Sequence, residues 1–85
     1  MTYSLIQLAG GSYDVVLDGE IVASVVRVKT QQGATWYAEL LEDLPVEKRP
    51  QPFHEIEHQF GSLEDICVWL EHPTVTQIRR DPWMS

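Results

Sequence analysis

The sequence predicts an α+β domain, an antiparallel sheet of four to five strands in meander order with one C-terminal helix packed on one face, β-β-β-β-α overall. Three observations carry this. The stretch YDVVLDGEIVASVVRVK (13–29) is two β-branched runs joined at Asp18-Gly19, the strongest short-range hairpin signal. Apolar and polar residues alternate with period two on either side of a proline-rich break, in TWYAELLED (35–43) and HEIEHQF (54–60). A helical stripe then follows Ser62 and stops at Pro73.

Taken in order, residues 3–8 (YSLIQL) form a short first strand, closed by the small, flexible cluster Ala9-Gly10-Gly11-Ser12. The hairpin has two candidate registers. A two-residue loop at Asp18-Gly19 sets Val15 against Val22 and Tyr13 against Ser24. A three-residue loop, Leu17-Asp18-Gly19, sets Val15 against Ile21 and Tyr13 against Ala23. The second is preferred, because it gathers Tyr13, Val15, Ile21, Ala23 and Val25 on one face and leaves Asp14, Glu20 and Ser24 on the other.

Residues 30–34 (TQQGA) are polar and short, which suits an antiparallel return. In 35–43, Trp36, Ala38 and Leu40 share one face and Tyr37, Glu39 and Leu41 the other. A helix is the alternative for AELLEDL, whose residues are good helix formers, but Trp36-Tyr37 continues a meander. Residues 44–53 (LPVEKRPQPF) hold three prolines and no periodicity, the composition of a surface loop. Residues 63–72 form the helix, with Leu63, Ile66, Cys67 and Leu70 on its apolar stripe, Trp69 on the flank, and Ser62 and Asp65 placed as a capping-box-like start. Trp69 and Trp36 are expected to meet across the sheet–helix interface. The domain therefore spans 1–73, and 74–85 reads as a C-terminal tail or arm.

With 85 residues the chain buries only about 60–65% of its unfolded surface, which disfavours an elaborate buried catalytic site. The net charge of −7 repels phosphate backbones and so counts against nucleic acid as a partner. No apolar run is long enough to span a membrane. Cys67 is the single cysteine and cannot form an internal disulfide; with no basic leader at the start, a cytoplasmic location is expected.

His54-Glu55-Ile56-Glu57-His58 matches H-E-x-x-H, in which two histidines one helical turn apart bind zinc and the glutamate activates a water. That makes a small zinc-dependent hydrolase an alternative function, with His54, Glu55 and His58 as the candidate metal site. The match needs a helix, however, whereas Pro50, Pro52, Gly61 and the alternation favour a strand. On a strand the two histidines share a face about 13 Å apart, too far for one metal ion. Cys67 has no basic neighbour on its helix to lower its pKa and reads as a small core residue. Gly10-Gly11-Ser12 lacks the lysine and spacing of a phosphate-binding loop. No cofactor pattern is present.

A layout of this kind resembles double-stranded-RNA-binding and integrase-type DNA-binding domains of β-β-β-α type. That resemblance implies nucleic-acid binding, with Arg27, Lys29, Arg79 and Arg80 as the basic residues at hand. The charge points elsewhere. One helix covers one sheet face, yet the hairpin valines point both ways: Val16, Val22, Val26 and Val28 on one side, Val15, Ile21 and Val25 on the other. The spare face invites a protein partner, and the expected function is a non-enzymatic interaction module that self-associates as a dimer through Val16, Val22 and Val26. Trp83, with little apolar company and two arginines nearby, is a candidate interface anchor.

Overall fold

The computed structural model describes residues 2–77, so the expectations for Arg79, Arg80 and Trp83 lie outside the described residues. Among the described residues six strands form one sheet: β1 (Tyr3–Ala9), β2 (Ser12–Leu17), β3 (Glu20–Thr30), β4 (Gly33–Leu40), β5 (Glu57–Phe60) and β6 (Thr74–Gln77). One helix, α1 (Leu63–Trp69), joins the last two. The spatial order is β5-β4-β3-β2-β1-β6.

The first five strands are the expected antiparallel meander, and the α+β class holds. The sixth is a correction. Thr74–Gln77, expected to begin a C-terminal tail or arm, pairs in parallel with β1, Val75 lying opposite Leu5. Three β-branched residues, Thr74, Val75 and Thr76, favour an extended chain, and β1 offers an open edge for it. The pairings make β5 and β6 point the same way from opposite edges of the sheet. The connection between them must therefore cross a face, and α1 is that crossover.

The hairpin turn is the two-residue one, with Asp18 and Gly19 both left-handed at φ 52° and 81° and Leu17 opposite Glu20. This type I′ geometry needs positive φ at both central residues, which Asp-Gly supplies. The register then jumps: Val16 faces Ile21 but Val15 faces Ala23. Val22 is the extra residue of a β-bulge. Neither expected register holds along the whole hairpin. The bulge restores Tyr13, Val15, Ala23 and Val25 to one face and sends Ile21 to the other.

That shared face carries the core. Tyr3, Leu5, Tyr13, Val15, Leu17, Ala23, Val25, Ala38 and Leu40 are buried together with Ile66 of the helix and Leu70, its C-cap. Phe53, expected on a surface loop, is 3% exposed and closes the core from the side. The loop that delivers it is tied together by Arg49, whose Nε donates to the Leu44 carbonyl at 2.9 Å and whose Nη1 donates to the His54 carbonyl at 2.8 Å. The Tyr3 hydroxyl donates to the Gln51 carbonyl at 2.6 Å, fixing the same loop to β1.

The helix begins as expected. Ser62 is its N-cap, accepting the Asp65 amide on Oγ at 3.1 Å. It ends earlier than expected, at Trp69. The His72 amide donates to the Cys67 carbonyl at 2.7 Å and the Glu71 amide to the Val68 carbonyl at 3.1 Å, the paired bonds of a Schellman ending. Glu71 and His72 are left-handed at φ 62° and 59°. No helix among the described residues is long and apolar enough to cross a membrane.

Candidate functional site

Because side chains alternate along a strand, the residues between the core positions form the opposite face of the sheet, away from α1. The registers align them in rungs. Thr74, Ser4, Val16 and Ile21 make the first; Thr76, Ile6, Asp14, Ser24, Glu39 and Glu57 the second; Ser12, Val26, Tyr37 and Gln59 the third; Val28 and Thr35 the fourth. Two apolar patches result, one of Val16 and Ile21 and the other of Val26, Val28 and Tyr37. The acidic second rung runs between them.

Several of these residues are open to solvent in the isolated chain: Ile21 at 51%, Val28 at 43% and Val26 at 41%. Val16 and Tyr37 are half-buried by their neighbours. A broad, shallow concavity of about 450 Å³ lies over the second patch, lined by Ser24, Val26, Val28, Tyr37, Glu39 and Glu57. Among the described residues this face carries the carboxylates of Asp14, Glu39 and Glu57 and no lysine or arginine; Arg27 and Lys29 alternate onto the helix side.

Of the residues expected on this face, Val16 and Val26 are there. Val22 is not: the bulge turns it in, and it packs half-buried against the core. Ile21, assigned to the core face, takes the outer position. Tyr37, Glu39 and Glu57 join this face; the alternation in 35–43 sets Tyr37 and Glu39 together. Joining them to Val26 needed the β3–β4 register.

The His-Glu-x-x-His string is neither helix nor continuous strand. His54 has no regular structure, 55–56 form a bend and β5 starts only at Glu57. The expected separation of the histidines is overturned, since their ring centroids lie 4.4 Å apart, edge to face. The Glu55 amide in this bend donates to His58 Nε2 at 3.1 Å. That contact makes Nε2 an acceptor and occupies the lone pair a metal would take. Burial of His58 against Phe53 and Trp69, with the nearby His54 ring, lowers its pKa below the ordinary histidine value, while Glu55 acts in the opposite direction. Among the described residues no three His, Cys, Asp or Glu side chains are placed to hold a metal ion.

Trp69 stacks on Phe53 at 4.7 Å, His58 at 4.7 Å and Phe60 at 4.9 Å. Trp36 rests on Tyr13 at 6.2 Å and beneath the Arg27 guanidinium at 5.8 Å, in place of the expected contact with Trp69. Cys67 is half-buried, and burial together with Glu64 raises its thiol pKa, which disfavours the nucleophilic thiolate. With Arg49 committed to two carbonyls and Arg27 to an indole, these two cations are engaged within the chain.

No family model, curated protein or solved structure matches this chain.

Proposed function

We propose that this chain is a non-enzymatic protein-interaction module that self-associates as a dimer through the outer face of its sheet. The observation that carries the reading is the pair of apolar patches, Val16 with Ile21 and Val26 with Val28 and Tyr37, on a face that no element among the described residues covers. Exposed apolar groups of this kind gain free energy when a second surface removes them from water, at roughly 25 cal/mol per Å² buried. A second copy supplies the same patches.

The acidic rung shapes how two copies meet. Face-to-face contact brings Asp14, Glu39 and Glu57 of each copy near those of the other, so association strengthens as salt screens the repulsion. The unpaired cysteine suits a reducing compartment, and we assign the chain to the cytoplasm. The net charge of −7 weighs against nucleic-acid binding.

Solution mass across a wide concentration range tests the reading. A rise towards two chains, abolished by Val26→Lys, supports it, and one-chain mass throughout counts against it.

A further inference from the structure

On the helix side of the sheet, remote in the fold from the outer face, lies a second cavity. It holds about 130 Å³ and is lined by Tyr3, Gln51, Pro52, Trp69, Leu70 and Glu71. Three separate segments meet there: the start of β1, the loop before Phe53 and the end of α1. Its lining has a definite chemical character. Two aromatic residues, Tyr3 and Trp69, and one acidic residue, Glu71, are among those that line it, and no Lys, Arg or His is.

We propose that this cavity binds a small organic cation, the alkylammonium head of a ligand. An anion is disfavoured by a lining whose one charged residue is acidic. A bare metal ion would lose its water shell for a single carboxylate, which cannot replace it. An alkylated ammonium fits both features: its methyl and methylene groups lie against Leu70, Pro52 and the rings, and its charge is matched by ring faces and carboxylate. The size agrees, since an apolar cavity of about 150 Å³ accommodates benzene. A methylated or primary ammonium with a short stem is of that order, and a nucleotide is not.

The site is also built in advance. The Tyr3 hydroxyl is held by the Gln51 carbonyl at 2.6 Å, and burial pushes its pKa up to about 12, so the phenol stays neutral and fixed. Trp69 is clamped by Phe53, His58 and Phe60. Glu71 occupies the left-handed position that ends α1, where glycine is the residue the backbone favours. Helix termination alone does not call for a glutamate there. A side chain kept at a strained position beside a cavity has the placement of a functional group.

The test is a titration of the full chain, at a concentration where a single mass species is present, followed by two-dimensional NMR of the backbone amides and tryptophan indoles. The probe is tetramethylammonium chloride, with tert-butanol as a neutral shape analogue and sodium chloride as the ionic-strength control. The proposal predicts saturable shifts at Trp69, Leu70 and Glu71, binding weaker by about tenfold or more for the neutral analogue, and a comparable loss in Glu71→Gln. Glu71→Gly, which the helix ending favours, also loses binding while remaining folded. Absence of saturable shifts, equal response to tert-butanol, or undiminished binding in both variants overturns it. None of these outcomes depends on the outer face, so the two proposals fail separately.

Discussion

Val15 lies opposite Ala23, and the residue passed over between this pair and the Val16–Ile21 pair is Val22. One extra residue thus reverses the roles of two neighbours: Ile21 is 51% exposed and Val22 packs on the core. The outer face owes its composition to that bulge.

The first prediction follows from the exchange. Val22→Ser removes packing from the core side and should cost about 1–2 kcal/mol of unfolding free energy. Val26→Ser, on the outer face, should change the stability of the single chain by no more than about 0.5 kcal/mol. Urea unfolding at low protein concentration separates them. A hairpin without the bulge would keep Val22 and Val26 on one face by alternation and give similar effects for the two.

The end of α1 offers a second. Glu71 holds φ 62° without a glycine's freedom. Glu71→Gly should therefore raise stability by about 0.5–1 kcal/mol, relief of left-handed strain outweighing the extra entropy of glycine in the unfolded chain. A higher urea midpoint with an unchanged slope is the expected result.

Proton linkage at His58 gives a third. Burial and His54 lower its folded-state pKa below the unfolded value near 6.5, so the unfolded chain binds the proton more readily. The favourable contribution is complete above the unfolded pKa and is lost as pH falls through it towards the lower folded value. Protonation also removes the acceptor that His58 Nε2 offers the Glu55 amide. Stability should fall from about pH 7 to about pH 5.5, and His58→Gln, which keeps an acceptor without titrating, should flatten that slope. Chemical denaturation at several pH values reads it directly.

What the sequence made legible was local. Asp18-Gly19 marks its own turn, Ser62 its own cap, and the alternation from Trp36 to Leu40 its own two faces, because each depends on neighbours in the chain. The α+β class followed from these. The bulge at Val22 was hidden because it is a compromise between the turn's register and the core's demand for Tyr13, Val15, Ala23 and Val25 on one side. Thr74–Gln77 was hidden because a short exposed segment becomes a strand only when an edge such as β1 accepts it. Phe53 and the His54–His58 contact come from a loop whose path is set by Arg49 and Tyr3, residues distant from the period-two patterns around them. Of the outer face, Val16 and Val26 were accessible from parity alone. Ile21, Tyr37, Glu39 and Glu57 required the strand registers.

The proposed dimer joins two chains through this face. Sedimentation equilibrium of the wild-type chain and Val26→Lys, from micromolar to millimolar concentration at low and high salt, tests it most directly. The account predicts a wild-type mass that rises from one chain to two, more readily at high salt, and a Val26→Lys mass that stays at one. A wild-type mass of one chain under every condition, or a dimer indifferent to Val26→Lys, would contradict it.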